Sequence, residues 1–244
     1  MNMEESEKNT QQELIALKKE FDDFVYIVSH DIKSPMRAIS NLTTWIEEDL
    51  GEIANKDVKT NLELLKNRVN RLESMMNGLL ELSRVERMDL EFYEVNLPKM
   101  ISSCVDLFNN DSKVEFSVAN NINNENCVTL GLKLQKVISN LIDNAIRFND
   151  KESKKVAISI IENENDYQIT VADNGPGIPA DVAHKIFTIF YTVSSKDVVN
   201  TTGAGLAISC KILKLVGGEL NYTAGVHQGS VFTLNWPKII TIKN

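Results

Sequence analysis

The stretch Ser29-His30-Asp31-Ile32-Lys33-Ser34-Pro35 lies inside a long helical pattern and places a histidine directly before a carboxylate. Apolar side chains precede it at alternating steps of three and four residues, namely Leu14, Leu17, Phe21, Phe24 and Val28. This spacing is typical of the heptad seam of a helix that packs on other helices, and it differs from the alternation of a strand. His30 follows the last seam residue by two positions, so we expect its side chain to point away from the buried face.

Pro35 predicts an interruption of this helix. Proline has no N–H to donate to the carbonyl of Asp31, and its ring crowds the preceding turn. A histidine one turn before such an interruption is compatible with a reactive imidazole and equally with an ordinary, partly exposed helix histidine. On this stretch alone the two interpretations have equal weight.

Composition narrows the function classes. The 244 residues suggest one or two domains, and 43% hydrophobic with 25% charged residues is typical of a globular protein with a sizeable core. A formal net charge of −8 argues against a nonspecific nucleic-acid-binding protein, which needs a basic surface. We expect no membrane span, because no run approaches eighteen apolar residues, and no signal peptide, because the N-terminus is acidic. The three widely spaced cysteines fit neither a disulfide framework nor a zinc site and indicate a reducing cytoplasm.

A second helix is predicted to pair with the first. The apolar pattern continues beyond Pro35 to Ile53, and Gly51 with residues 54–57 predicts a turn. Residues 58–79 then repeat apolar side chains at steps of four and three. A hairpin with such narrow seams buries too little by itself, so we predict a homodimer through residues 14–82, which forms a four-helix bundle. The alternative is a monomeric hairpin packed on the rest of the chain.

The second half of the chain mixes strands and helices. The patterns predict an α+β fold, in which helices cover one face of a sheet built from antiparallel hairpins. We place the domain boundary so that 1–90 is the helical hairpin and 91–244 an α/β sandwich. The expected helices are 97–108, 132–148, 181–190 and 204–216, and the expected strands 113–118, 127–130, 156–161, 167–172, 218–224 and 230–236.

The helix 132–148 carries an unusual polar face. Asn140, Asn144 and Arg147 follow one another at steps of four and three, beside an apolar face. Asparagine is a mediocre helix former, so two of them in one helix call for an explanation. Amide oxygens can coordinate a hard cation such as Mg²⁺, and an arginine can bind phosphate. The alternative is a solvated polar face.

Two glycine-rich loops follow. Asp173-Asn174-Gly175-Pro176-Gly177-Ile178-Pro179 comes after a strand, and its glycines permit a tight turn close to a ligand, while the Asp173 carboxylate can accept a hydrogen bond from an exocyclic amine. Thr201-Thr202-Gly203-Ala204-Gly205-Leu206 opens a helix, where free N–H groups suit phosphate. It is neither a Walker A loop nor a dinucleotide fingerprint. The segment between the two loops is predicted to act as a lid.

Taken together and in this order, the motifs closely resemble those of a bacterial sensor histidine kinase of two-component systems. Such kinases join a HisKA dimerisation and phosphoacceptor domain to a GHKL-type HATPase_c domain. Here the boxes of the family match residues 30–35 (H), 140–148 (N), 173–179 (G1), 185–190 (F) and 201–206 (G2). The resemblance covers nearly the whole chain after residue 12.

The resemblance implies a role for each catalytic candidate in the H box. His30 is similar to the phosphoacceptor, and Asp31 to the adjacent acid that orients and activates the imidazole. Ser34 holds the place where family members with phosphatase activity usually carry Thr or Asn.

The resemblance also implies an ATP and Mg²⁺ site. Asn144, and less directly Asn140, resemble the Mg²⁺ ligands, and Asp173 resembles the residue that reads adenine. Arg147 stands where a phosphate-contacting lysine is usual. The remaining nucleotide-binding candidates from the matched boxes are Phe148, Gly175, Gly177, Ile178, Phe187, Thr202, Gly203, Gly205 and Leu206. Two positions depart from the family pattern, Thr201 for a usual Gly and Gly131 for a usual Asp.

The function implied is autophosphorylation of His30 and transfer of the phosphoryl group to an aspartate of a response-regulator receiver domain, with possible phosphatase activity. An upstream sensor domain or sensor protein is expected to act through an input helix at about 1–28, and the location implied is the cytoplasm. Two alternatives remain, a degenerate kinase that serves as a dimeric scaffold, and another GHKL-type ATPase.

Overall fold

The structure, a computed structural model, describes residues 3–51, 55–108, 113–193, 201–226 and 228–242. It divides into two compact units, Met1–Arg84 and Val85–Asn244. Residues 194–200 of the expected lid lie outside the described residues. Among the described helices, none has both the length and the apolar character that crossing a bilayer requires.

Two long helices make up the first unit, α1 (Met3–Leu50) and α2 (Lys56–Arg84). The side chain of Asn55 accepts a hydrogen bond from the backbone N–H of Val58 at 2.9 Å, which caps the start of α2. The predicted interruption at Pro35 is wrong, because α1 runs through it without a break. Proline removes a single backbone hydrogen bond, and packing along α2 keeps the flanking turns helical.

Within one chain, the hairpin buries a face that is partly polar. Val25 and Met36 are buried on α1, and Leu62 and Val69 on α2. The same face buries the polar residues Asp22, Ser29, Thr43 and Ser83. The hydroxyl of Ser83 donates to the Asp22 carboxylate at 2.8 Å, which pairs two of these groups across the two helices.

The heptad residues predicted to form the seam remain largely exposed in the single chain. The exposed fraction is 64% for Leu14 and 62% for Phe24 on α1. On α2 it is 43% for Leu65 and 52% for Leu72. A long row of exposed apolar side chains on paired helices indicates a surface that packs on another helical partner.

A five-stranded sheet forms the second unit, and helices cover one of its faces. The strand order is β2-β4-β5-β7-β6, with β2 parallel to β4 and all other neighbours antiparallel; β1 and β3 form a separate antiparallel pair. The helices are α3 (Leu97–Asp106), α4 (Gly131–Arg147) and α5 (Gly205–Val216). The strands are β1 (Tyr93–Asn96), β2 (Val114–Asn121), β3 (Asn126–Thr129), β4 (Lys154–Glu162), β5 (Asp166–Asp173), β6 (Glu219–Ala224) and β7 (Ser230–Pro237).

The core lies between this sheet and α4 and α5. Every second residue of the central strands is buried, as in Phe232, Leu234 and Trp236 of β7, while the intervening residues remain partly exposed. The indole N–H of the fully buried Trp236 donates to the hydroxyl of Thr129 at 2.7 Å. The predicted α+β fold, a helical hairpin followed by a sheet with helices on one face, is confirmed.

Three details differ from or add to the expectations. Strand β1 was not predicted, and the helix expected at 181–190 is only a short 3₁₀ turn, Ala183–Lys185. The segment after this turn ends at Phe190, whose left-handed backbone (φ 64°) cannot continue a helix. Gly131 begins α4 without a side-chain cap, and a Cβ there would lie 2.3 Å from the Tyr93 hydroxyl. A side chain at this position would therefore require the Tyr93 ring, which is 40% exposed, to move.

Candidate functional site

The first candidate group is the His30–Asp31 pair on α1. The side chains are 75% and 72% exposed, and Nδ1 of His30 lies 3.1 Å from Oδ1 of Asp31. A carboxylate can only accept, so in this hydrogen bond Nδ1 of His30 is the donor. Ser34 is also exposed, one helical turn further along. By contrast, Ser29, the residue directly before His30, is fully buried. The histidine is thus presented outward from α1, beside a residue that packs inward.

The second candidate group surrounds a cavity of about 490 Å³ in the second unit. It lies where the end of α4, the loop after β5, the loop before α5 and the start of β7 come together. The lining residues are Asn144, Phe148, Asp173, Pro176, Gly177, Ile178, Pro179, Ile186, Tyr191, Thr192, Val193, Thr201, Gly203, Gly205, Leu206, Ser230 and Phe232.

Asp173 supplies the acidic group of this cavity. Its Oδ1 accepts hydrogen bonds from the backbone N–H of Gly175 at 2.8 Å and of Ser230 at 3.2 Å. Burial raises the pKa of the Asp173 carboxyl, and these hydrogen bonds offset part of the rise. The carboxylate is therefore oriented by two neighbouring backbone segments in a place of low polarity, which suits it to accept a hydrogen bond from a ligand amine.

Glycine is required where the loops approach the cavity. Gly177 has φ 75°, and a Cβ there would lie 3.0 Å from the carbonyl oxygen of Gly229. Gly203 has φ 68°, and a Cβ there would lie 2.6 Å from the carbonyl oxygen of Tyr191. Any side chain would strain both loops, so the glycines keep their backbones close to the cavity wall. The second loop leads into the N-terminus of α5, where free N–H groups favour an anion.

The two asparagines of α4 differ in their surroundings. Asn144 lines the cavity, and its amide nitrogen is buried with no hydrogen-bond partner among the described residues. Asn140 is outside the lining and donates its amide to the Gly205 carbonyl and the Ser209 hydroxyl, each at 3.1 Å. Mg²⁺ is commonly held by one or two protein oxygens together with substrate phosphates and water. Mg²⁺ binds the amide oxygen and not the nitrogen, so Asn144 is a candidate ligand because it lines the cavity, while its unpartnered nitrogen can donate to a phosphate oxygen. Asn140 primarily connects α4 to α5.

Several other predicted residues occupy the rim or the second layer. Arg147 makes a two-pronged ion pair with Asp143, with both nitrogen–oxygen distances at 3.0 Å, and is not part of the lining. The structure places Ile186 in the lining where the sequence suggested Phe187. Thr202 accepts a hydrogen bond from the N–H of Ala204 at 3.2 Å, which shapes the loop instead of lining it.

Sequence reasoning missed part of the cavity wall. Ser230 and Phe232 come from β7, and they reach the cavity because β7 pairs with β5, with Phe232 opposite Val171. Tyr191 contributes from the segment between the two loops. The alternation along β7 predicts which of its residues point inward, but the pairing partner was not deducible from that pattern.

Known protein families match both units. Residues 22–87 match the family model described as "His Kinase A (phospho-acceptor) domain". Residues 129–240 match "Histidine kinase-, DNA gyrase B-, and HSP90-like ATPase". The two matches together cover more than half of the chain and contain the His30–Asp31 pair and the cavity.

The chain belongs to the sensor histidine kinase family.

Individual relatives agree with this assignment. The histidine kinase chain is 33% identical over 225 residues to cyanobacterial phytochrome B of Nostoc sp., an alignment that covers 90% of this chain and 30% of the phytochrome. It is 29% identical over 238 residues to the sensor histidine kinase WalK of Bacillus subtilis, covering 93% of this chain and 38% of WalK. This histidine kinase therefore spans well under half the length of these curated relatives.

A solved structure shares the fold. The histidine kinase ThkA in complex with the response regulator protein TrrA aligns with a TM-score of 0.67 and 22% identity, covering 94% of this chain and 66% of that chain. At this level of identity the similarity concerns the fold of the histidine kinase and not its ligands.

Proposed function

We propose that this chain is an ATP-dependent protein histidine kinase, which phosphorylates its own His30 and passes the phosphoryl group to an aspartate of a response-regulator receiver domain. The observation that carries the proposal is the cavity, in which an oriented carboxylate (Asp173), an unpartnered buried amide (Asn144) and glycine loops converge. The exposed His30–Asp31 pair supplies the acceptor.

Each end of the cavity suits one part of ATP. Asp173 accepts a hydrogen bond from the exocyclic amine of adenine, and the apolar side chains of Ile178 and Ile186 contact the base. The glycine loop at 201–206 and the N-terminus of α5 bind the phosphates through backbone N–H groups. Asn144 and Asn140 are the residues proposed to hold Mg²⁺, with Asn144 the better placed. When bound, Mg²⁺ neutralises charge on the phosphates.

The reaction at His30 follows from its hydrogen bond to Asp31. With the proton held on Nδ1 by the carboxylate, Nε2 attacks the γ-phosphorus of ATP, a P–N bond forms, and the P–O bond to ADP breaks. Asp31 stabilises the positive charge that develops on the ring, as a carboxylate does beside other catalytic histidines. Positioning and charge neutralisation supply most of the catalysis in phosphoryl transfer.

The partners follow from the exposed surfaces. We propose that residues 1–90 form the dimerisation and phosphotransfer unit and 91–244 the catalytic unit. The exposed heptad row of Leu14, Phe24, Leu65 and Leu72 supports a homodimer through 14–82. ThkA, which shares the fold, was solved in complex with a response regulator protein, and this supports a receiver domain as the partner that accepts the phosphoryl group from His30.

Two further parts of the proposal concern input and location. A sensor domain or sensor protein acts through residues 1–28, the start of α1. The reaction takes place in the cytoplasm, which supplies ATP and keeps the thiols of Cys104, Cys127 and Cys210 reduced; all three are free.

Incubation with γ-³²P-labelled ATP tests the proposal. Acid-labile, base-stable label on wild-type protein and its loss in His30→Gln is the expected result, with MgADP affinity unchanged in the variant. Labelling that survives in His30→Gln would overturn the assignment of the acceptor. Release of free phosphate without labelled protein would indicate an ATPase, and neither label nor hydrolysis would indicate a scaffold.

A further inference from the structure

Tyr222 lies on β6, an outer strand of the five-stranded sheet. Its side chain lies on the same face of β6 as the buried Leu220, the face covered by helices. It is paired with Phe232 on β7, and the two ring centroids are 5.4 Å apart. Since Phe232 lines the cavity, Tyr222 stands directly behind the cavity wall.

The hydroxyl of Tyr222 binds the loop that follows β5. It accepts a hydrogen bond from the backbone N–H of Ile178 and donates one to the carbonyl oxygen of the same residue, both at 3.2 Å. A phenol can do both at once, because it has one donor and lone pairs to accept. One side chain thus engages both backbone polar groups of a residue 44 positions away in the sequence.

The first residue of the loop, Asn174, is held by hydrogen bonds to Asn149, Lys155 and Ser153, but few polar contacts among the described residues hold the part that follows. Residues 174–179 lie outside any strand or helix, and Pro176 and Pro179 have no N–H to donate. At its start the N–H of Gly175 binds the Asp173 carboxylate, and in its middle Gly177 lies against the carbonyl of Gly229. At Ile178, Tyr222 provides the anchor, and the residues on either side of Ile178 line the cavity.

We infer that Tyr222 is a positioning residue for the nucleobase: its hydroxyl fixes Ile178, so that the loop keeps both its wall of the cavity and the Gly175 N–H that orients Asp173. The inference rests on the proposed function, since it takes the ligand to be an adenine nucleotide. Tyr222 itself is behind the wall and acts through the loop. Removal of the hydroxyl therefore weakens binding of the base and the discrimination of its exocyclic amine, but leaves the phosphate end intact.

The substitution Tyr222→Phe tests this, because it keeps the ring against Phe232 and removes only the hydroxyl. Calorimetric titration with MgADP should give a dissociation constant about three- to tenfold higher than wild type, the range expected for loss of these hydrogen bonds. Inosine diphosphate lacks the exocyclic amine, so the substitution should weaken its binding less than that of ADP. The ratio of the two dissociation constants should therefore move closer to one. The rate of autophosphorylation at saturating ATP should stay within about twofold.

Tyr167→Phe is the control, since Tyr167 is another tyrosine of this sheet, is buried, and is not among the lining residues. It should leave the ADP preference unchanged. Hydrogen exchange adds a readout that does not depend on ligand: the Ile178 N–H should exchange faster in Tyr222→Phe, while the amides of α4 and α5 keep their protection.

Unchanged ADP affinity in Tyr222→Phe would overturn the inference. So would an equal loss for ADP and inosine diphosphate, because that result means general loosening of the site. Unaltered exchange at Ile178 would show that the hydroxyl does not hold the loop. If the wild-type protein does not bind ADP at all, the proposed function is wrong. That outcome is measured on the wild type alone, so it is distinguishable from failure of the Tyr222 inference.

Discussion

The side-chain amide of Asn140 donates a hydrogen bond to the carbonyl oxygen of Gly205 at 3.1 Å. This bond connects the middle of α4 to the first residue of α5, at the glycine loop proposed to bind phosphate. Asn144, one turn further along α4, has its amide nitrogen buried without a partner in the described part of the chain. Two identical side chains on one helix face therefore differ in what they contribute.

We expect Asn140→Ala to affect mainly stability and Asn144→Ala to affect mainly nucleotide binding. Asn140→Ala removes two hydrogen bonds between helices and should lower the free energy of unfolding by about 2 kcal/mol. Asn144→Ala removes an unpartnered amide, so stability should change by less than about 0.5 kcal/mol, while Mg²⁺-dependent ATP affinity falls about tenfold or more. Urea unfolding and nucleotide titration with and without Mg²⁺ measure the two effects. Retained Mg²⁺ dependence in Asn144→Ala would contradict the proposed ligand.

The exposed row on α2 should determine the oligomeric state. Leu65 and Leu72 are 43% and 52% exposed in one chain, so charges there disturb little inside the hairpin but oppose its packing on a second copy. Leu65→Glu with Leu72→Glu should halve the mass found by light scattering at micromolar concentration. Asn67→Glu, on the opposite side of α2, is the control and should remain a dimer. A monomeric wild type would refute the dimer.

Glu162 should make the second unit sensitive to acid. Its carboxylate binds Lys238 at 2.9 Å and the backbone N–H groups of Asn123 and Asn124, which lower its pKa from the ordinary 4.5 to about 2. A carboxyl whose pKa is depressed by folding stabilises the folded state above pH 4.5, and this contribution disappears as the pH falls towards 2.

We therefore expect Glu162→Gln to melt at a lower temperature than wild type at pH 6. Its melting temperature should also fall less than that of wild type when the pH is lowered from 4.5 to 2.5. Thermal melting followed by circular dichroism measures both. Glu164→Gln, on the neighbouring turn, should follow the wild-type curve. A pH dependence identical in Glu162→Gln and wild type would show that the Glu162–Lys238 pair does not affect stability.

Ser34 should tune phosphatase activity instead of kinase activity. It is exposed on the face of α1 that carries His30, one turn later, where a hydroxyl can orient water towards the aspartyl phosphate of a regulator. Ser34→Ala should slow dephosphorylation of a phosphorylated receiver domain, Ser34→Thr should preserve or raise it, and autophosphorylation should change little. Equal dephosphorylation rates in all three proteins would leave the serine a structural role near Pro35.

Much of the fold follows from periodicity in the sequence. The seams of α1 and α2, the apolar face of α4 and the alternation of β4, β5 and β7 repeat over enough residues to identify each element. Strand β1 was not predicted because it has only four residues, of which only Val95 is buried. It forms by pairing with β3, about thirty residues later in the sequence. Pro35 does not end α1, because packing along the whole helix outweighs the local steric effect of the proline ring.

The cavity was less predictable than the sheet. Asp173 and the glycines stand in recognisable loops and Asn144 on the polar face of α4, and the structure brings them together. Ser230 and Phe232 reach the same place only through the register of β7 against β5, which is set by the assembled sheet. The family resemblance already ranked Asn144 above Asn140 as a ligand, but the hydrogen bonds that connect Asn140 to α5 depend on the position of α5 and could not be predicted from the sequence.

The buried polar groups of the hairpin have a consequence for how the protein behaves in a cell. Between α1 and α2 a carboxylate and hydroxyls occupy places that apolar side chains would otherwise fill, while the larger apolar side chains face outward. In the proposed homodimer, folding of this half is linked by mass action to the encounter of two copies, whereas the sheet unit has its own core within one chain. The amount of phosphorylated protein should therefore rise more steeply than the expression level. At low concentration the hairpin dimers that carry His30 dissociate, while the nucleotide cavity of each chain remains folded.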